Sequence, residues 1–259
     1  MADLELLTIK LEQMNIESTN DNNTTTPAIT YSECYVQPFF SFYNADNMAI
    51  MNTFKDKEFD LAIVDPPYGI DINNQSQGKG GGVARKIDYA KKNWDKKAPE
   101  AEYWNELKRI SKNQIIWGAN HFISKIPFDS SCWIVWDKDN GTTDFADCEL
   151  AYTSFKTAVR RFKWTWAGMR QQNMKNKEER IHPTQKPIQL YEWLLNNYAN
   201  ENDKIIDTHL GSGSIAIAID KANTLDKKNL TFVGIELDPD YFRAAVERFK
   251  NHKRQCVLF

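Results

Sequence analysis

Cysteine is scarce in these 259 residues. The four present, Cys34, Cys132, Cys148 and Cys256, form no C-x-x-C pair. That spacing argues against a zinc site or a disulfide framework and makes a reducing cytoplasm the default. Long apolar runs are missing as well. No stretch approaches the roughly 20 residues that span a bilayer. The opening MADLELLTIK lacks the basic-then-apolar form of a secretory signal. We therefore expect a cytoplasmic chain with no membrane partner. Net charge is nearly absent, at -2, so the total does not advertise nucleic-acid binding. Its distribution says more. Residues 156–186 hold nine Lys or Arg against Glu178 and Glu179, and residues 78–97 hold seven against Asp88 and Asp95. Taken alone, each run is equally a solvated face. There is no G-x-G-x-x-G, no P-loop lysine and no internal repeat.

What is present is organised around FDLAIVDPPYGI, residues 59–70. Four apolar residues run straight into Asp65-Pro66-Pro67-Tyr68. The run is short, rich in branched residues and cut off by two prolines, as in a buried parallel strand. Ligands of open α/β sheets lie beyond the carboxyl ends of the strands. A carboxylate, two rigid prolines and an aromatic ring are thus offered where a substrate would sit.

Hydrophobic residues make up 41% of the chain, enough for one large domain. Residues 4–16 have a helical pattern and 17–27 read as an Asn/Thr-rich linker, so 1–30 are set apart as a flexible N-terminal segment. The domain proper is expected over 31–259, with its first strand at 41–45. A short helix at 48–54 leads to the strand ending in Asp65. Residues 71–98, Gly- and Lys-rich without hydrophobic period, form a candidate mobile loop. A helix is expected over 100–110, strands at 114–117 and 132–136, and a helix near 121–125 between them. The polar, basic and aromatic stretch at about 137–181 reads as an insertion outside the sheet, with an alternating strand in RRFKWTW. A helix over 187–199, a strand at 204–207, a helix over 215–222, a strand at 231–237 and a helix over 241–251 complete the pattern. Asp238 suits an N-cap, and Pro187 and Pro239 suit first helical turns. Strands alternating with helices argue for a parallel α/β sheet.

Two constellations carry chemistry. The turn at 207–214, DTHLGSGS, lets backbone approach a ligand closely. Glu236 ends the next strand, where a carboxylate can hydrogen-bond ribose hydroxyls. The pair fits a nucleoside cofactor; the plainer alternative is a tight turn and a solvated glutamate. DPPY suits an exocyclic amine on a nucleobase, a poor nucleophile because its lone pair is delocalised. Asp65 and a main-chain carbonyl, that of Pro66, can accept the two amine hydrogens, and Tyr68 can stack on the base. The prolines fix that geometry at low entropic cost.

DPPYGI, HPTQKP at 182–187, DTHLGSGS at 207–214 and GIELDPDYF at 234–242 together resemble the DNA amino-methyltransferases that use S-adenosylmethionine. The order, with DPPY first, is similar to their beta group of adenine-N6 enzymes. WGANHF at 117–122, WIVWDK at 133–138 and the DFADCEL run resemble the small bacterial and phage members. The similarity covers roughly residues 40–259. It implies a Rossmann-like methyltransferase sheet with circularly permuted motifs and a small DNA-recognition insertion. It also implies a modification enzyme of the restriction-modification type, in a bacterial nucleoid or a phage-infected cell. By this resemblance Asp65, Pro66 and Tyr68 carry catalysis. Asp46, Asp65, Thr184, Lys186, Asp207, His209, Gly211, Ser212, Gly213, Ser214 and Glu236 would hold S-adenosylmethionine. His209 departs from the family's usual aromatic, which weakens any cation–π help to a sulfonium.

A base in a duplex must be flipped out, at a cost of a few kcal/mol. The basic stretches then gain a role. Arg160, Arg161, Lys163, Trp164, Trp166, Arg170, Lys175 and Lys177 are the candidate DNA-binding residues; the alternative for the two tryptophans is core. Residues 255–259, QCVLF, resemble the Q-x-x-L-F peptides that dock on bacterial sliding clamps. A homodimer is left open, and no metal is expected. The rivals are a cytosine-N4 methyltransferase, which more often carries Ser before the prolines, and a non-catalytic DNA- or clamp-binding module on the same fold. A nicotinamide oxidoreductase lacks the glycine spacing.

Overall fold

The structure, a computed structural model, describes residues 31–70, 95, 97–126, 129–141, 146–167 and 170–256. The expected N-terminal helix and linker and nearly all of the 71–98 loop lie outside these residues. The strands are β1 (Glu33–Gln37), β2 (Phe40–Asn44), β3 (Phe59–Val64), β4 (Ser111–Trp117), β5 (Trp133–Asp137), β6 (Cys148–Thr153), β7 (Arg160–Lys163), β8 (Trp166–Ala167), β9 (Arg170–Gln171), β10 (Lys204–Asp207) and β11 (Thr231–Glu236). The helices are α1 (Asn47–Met51), α2 (Ala101–Ile110), α3 (Ile188–Tyr198), α4 (Ser214–Leu225) and α5 (Pro239–Cys256).

Among the described residues nine strands form one sheet, in the order β1-β2-β11-β10-β3-β4-β6-β5-β7. The five from β2 to β4 run parallel, so the ends of β2, β11, β10, β3 and β4 share one edge. Between β10 and β3 the chain order reverses direction, which makes this the switch point where a crevice opens. The fold is Rossmann-like, with the DPPY strand preceding the glycine-turn strand in sequence.

The core follows the strand period. Along β3, Leu61 and Ile63 face one layer, with Trp117, Ile205 and residues of α3, α4 and α5. Ala62 and Val64 face the other, with Ile206, Ile235 and residues of α1 and α2. All four are essentially inaccessible, and each of the larger ones contributes about 1.5–3 kcal/mol by leaving water. Asp46 caps α1 by accepting from Met48 N and Ala49 N at 2.9 and 3.2 Å. Asp238 does the same for α5, accepting from Asp240 N and Tyr241 N at 2.9 and 3.1 Å.

Four expectations are corrected. The sheet begins at Glu33, not Ser41, because the alternating run ECYVQ pairs antiparallel with β2 through a turn at Phe39 (φ 70°). The helix expected at 121–125 is one 3-10 turn, Ala119–His121. Pro187 stands at the N-cap of α3, with extended backbone, rather than inside its first turn. Part of the 137–181 stretch belongs to the sheet. Cys148, Glu149 and Leu150 open β6, which is wedged antiparallel between β4 and β5, and RRFK forms the edge strand β7. Among the described residues, β8 and β9 make a separate two-stranded sheet.

Candidate active site

The carboxyl edge of the parallel strands surrounds a cleft, the place where ligands of open α/β sheets bind. Its wall is made by residues of every segment singled out above. Asp46 follows β2, Asp65 follows β3, Thr184 and Lys186 precede α3, His209, Gly211 and Ser212 follow β10, and Glu236 ends β11. Asp207, Gly213 and Ser214 stand behind that wall. Gly213 (φ 68°) turns the chain into α4, a left-handed geometry costly for other residues. Ser214 Oγ donates to Lys186 O at 2.8 Å and so ties the turn to the HPTQKP segment.

The turn is held from beneath. Glu236 Oε2 accepts from Gly211 N at 2.8 Å and Oε1 from Asp238 N at 2.9 Å. Burial raises its pKa. Asp207 Oδ1 accepts from His209 N at 2.9 Å. Burial, with Asp65 and Glu236 nearby, pushes Asp207 up to about 8. Burial drives His209 down to about 3, so its imidazole is neutral. Its two nitrogens lie 3.0 Å from Asn47 Nδ2 and 3.0 Å from Thr208 Oγ1. Tyr103 OH lies 2.7 Å from the same Thr208 hydroxyl.

Asp65 is the second centre. Its Oδ1 accepts from Tyr68 OH at 2.8 Å and its Oδ2 from Lys186 Nζ at 2.6 Å. Lys186 was expected at the cofactor. It does line the cleft, but its ammonium ends on Asp65 and, 3.0 Å away, on Glu149 Oε2. Burial raises the pKa of Asp65, with Lys186 opposing. Burial also raises that of Tyr68, which stays a phenol. The Tyr68 ring stacks on His121, with centroids 4.8 Å apart and 16° between planes. It lies over Gly118 (φ +66°) so closely that a β-carbon there would stand 2.1 Å from the ring. The buried Asp95 accepts from Tyr68 N and Gly69 N at 2.7 and 3.1 Å and fixes the chain after the prolines.

The candidate DNA-binding residues divide. Arg160, Arg161, Lys163, Arg170, Lys175 and Lys177 are exposed. Four strand spacings separate β7 from β3, roughly 19 Å. Lys163 pairs with Asp139 at 3.0 Å. Trp166 is corrected to core. It is 6% exposed, donates from Nε1 to Gln185 O at 2.9 Å and carries the Arg180 guanidinium on its ring at 4.4 Å. Trp164 is half-buried and stacks on Phe162. Sequence reasoning missed Gly118, His121, Glu149 and Asp95. The first three sit in WGANHF and DFADCEL, runs noted only for likeness, and their contacts depend on strand pairing. Among the described residues no cluster of His, Cys, Asp and Glu could hold a metal, and no helix is long and apolar enough to cross a membrane.

Residues 133–247 match a protein family described as DNA methylase. The chain is 25% identical over 249 residues to the Type II methyltransferase M2.LlaDCHI of Lactococcus lactis subsp. cremoris, across 79% of this chain and 87% of that one. It is 23% identical to M2.MboI of Moraxella bovis, across 81% and 87%. Among solved structures, the PvuII DNA methyltransferase, titled cytosine-N4-specific, superposes with a TM-score of 0.51 at 14% identity, covering 88% of this chain and 90% of that one. That likeness concerns the fold alone.

Proposed function

We propose that this chain, which matches the DNA methylase family over residues 133–247, transfers a methyl group from S-adenosylmethionine to the N6 amine of adenine in duplex DNA. The observation that carries the proposal is the meeting of Asp65, from early in the chain, with the Gly211 turn and Glu236, from late in it, around one cleft. The donor set suits the cofactor. Glu236 is an acceptor for vicinal hydroxyls, the glycines admit close approach, and the acidic lining favours a cation. When bound, S-adenosylmethionine supplies an electrophilic methyl group on a sulfonium.

The chain's own residues do the rest. Asp65 and the Pro66 carbonyl accept the amine hydrogens and aim its lone pair, which lowers the barrier by orientation and fixed electrostatics. Tyr68 must first leave Asp65 Oδ1, which it occupies at 2.8 Å, and can then stack on the flipped base. His209, being neutral, adds no repulsion against a cation. Digestion of treated DNA to nucleosides followed by mass spectrometry tests the reading. N6-methyladenine is expected, and N4-methylcytosine alone would transfer the assignment to the rival. Asp65 in place of Ser favours adenine.

Cofactor binding should release a proton. Below about pH 8 Asp207 carries one in the ligand-free protein, and a cation favours its carboxylate. Affinity therefore rises with pH toward about 8 and then levels. Calorimetry near neutral pH in buffers of different ionisation enthalpy reads the proton, and Asp207→Asn should abolish it. The same raised value means that stability of the ligand-free protein falls as pH rises from about 4 to about 8. An Asp207→Asn protein that still released the proton would move the linkage elsewhere.

Arg160 and Arg161, exposed on β7, are proposed to grip phosphates together with Lys175 and Lys177. Alanine at both arginines should weaken DNA binding and reduce the slope of log affinity against log salt by about 2; an unchanged slope rejects the contact. A sliding clamp is a further proposed partner. Gln255 belongs to the end of α5 and Val257, Leu258 and Phe259 lie outside the described residues, so docking an extended tail needs the last turn to open. Loss of clamp co-purification on deleting 255–259 is the expected result. A homodimer would be read by light scattering on the purified chain.

A further inference from the structure

Behind Asp65 four charged side chains stand in a row. Asp65 Oδ2 is 2.6 Å from Lys186 Nζ, which is 3.0 Å from Glu149 Oε2, while Glu149 Oε1 is 2.5 Å from Lys138 Nζ. Their side chains are 17%, 3%, 22% and 16% exposed. The hydrogen bonds of Lys186 are directed at Asp65 and Tyr68, so its contact with Glu149 is chiefly one of charge. A second carboxylate here is not needed to neutralise Lys186, because Asp65 already does so. Leaving water is costly for a charged group. Such a group persists where its partners, here Lys186 and Lys138, are fixed around it. β6 holds Glu149 in register with Trp136 of β5, and Lys138 follows that strand.

We propose that Glu149 is a positioning residue that carries the charge of Lys186 while Asp65 takes up the proton released from the methylated amine. The proposal rests on the adenine reading above. Once methylated, the amine bears a positive charge. Its N–H bond breaks, the electron pair stays on nitrogen, and an O–H bond forms on Asp65. The amine passes from +1 to neutral and Asp65 from −1 to neutral. Without Glu149 that step would strand the Lys186 ammonium, almost wholly buried, beside a neutral acid. With Glu149 the ammonium keeps a partner throughout. The other charged or titratable groups facing this row are Tyr68, Tyr191 and Asp207. Both tyrosines stay neutral phenols, since burial raises them well above their ordinary range. Burial alone would raise Glu149, but Lys186 and Lys138 bring it down to about 2, so it remains charged across the working range.

The test is Glu149→Gln beside Lys138→Met, each first checked for wild-type melting and circular dichroism. For Glu149→Gln we expect kcat to fall about 10- to 100-fold, with cofactor affinity within about threefold of wild type. Loss of a negative neighbour lowers the Asp65 pKa, so the acid limb of the kcat profile moves to lower pH. The Asp65 carboxyl carbon resonance, assigned by its absence in Asp65→Asn, should titrate lower in the ligand-free protein. Lys138→Met should move both readouts the opposite way, because Glu149 then weighs more heavily on Asp65. An unmoved limb and resonance in both variants overturns the proposal, as does an equal loss of kcat and cofactor affinity. Should Glu149→Gln fail to fold, Lys138→Met alone decides by the same readouts. A wild-type protein that makes no N6-methyladenine overturns the function proposed above instead, so the two failures are distinct.

Discussion

The Asp65→Ala protein should transfer methyl groups about 100- to 1,000-fold more slowly than wild type, with cofactor affinity changed far less. Removing one fixed group that stabilises developing charge costs a rate factor of that order. Asp65 is such a group, held from both sides by Tyr68 and Lys186. The fold should survive. Truncating half of a buried ion pair usually destabilises by about 3–5 kcal/mol, since the other half is left uncompensated. Here Lys186 keeps Glu149 at 3.0 Å, so the melting temperature should drop by only a few degrees. Single-turnover methylation with labelled cofactor, alongside calorimetry and a thermal melt, separates the three quantities. Transfer near the wild-type rate would remove Asp65 from the chemistry.

Gly118→Ala should be the most damaging single-methyl change near the site. The position has φ +66°, and the added carbon would stand 2.1 Å from Tyr68 Cε1. The left-handed backbone alone costs about 1–2 kcal/mol. Relief of the clash must then push the ring off His121 and Asp65. We expect a loss of about 2–4 kcal/mol in stability and at least about a tenfold loss in transfer. Adding Tyr68→Ala should restore much of the stability but none of the activity. A double-mutant cycle with denaturant midpoints measures that coupling. A cycle with no coupling would mean that the ring can move aside freely.

Much of this arrangement could be read from the chain alone, for definite reasons. β3, β10 and β11 are short apolar runs ended by acids, and the helices after β10 and β11 begin just after Gly213 and at Pro239, so local chemistry and final structure agree. The cleft follows from that agreement, since parallel strands bring their ends together. The middle of the chain resisted the same treatment. Strand β6 (CELAYT) has little local strand signal, and its place between β4 and β5 comes from pairing with residues far along the chain. Trp166 shares the basic, aromatic setting of Trp164 and turns inward because its indole N–H finds Gln185 O. The destination of the Lys186 side chain lies 121 positions away, at Asp65, and no spacing rule announces a contact of that range.

The strand order also bears on how the protein is made. β2 and β3 are consecutive in the chain yet do not pair with each other. They are joined through β11 and β10, which span Thr231–Glu236 and Lys204–Asp207 respectively. A ribosome therefore delivers both flanks of the sheet well before the two strands that fill its centre. Through that interval β2 and β3 each expose an open ladder edge, the feature that invites pairing with foreign strands. Folding has to wait for the last quarter of the sequence. The nascent chain is then a natural client for holding chaperones, and early termination should leave an aggregating fragment rather than a smaller working domain.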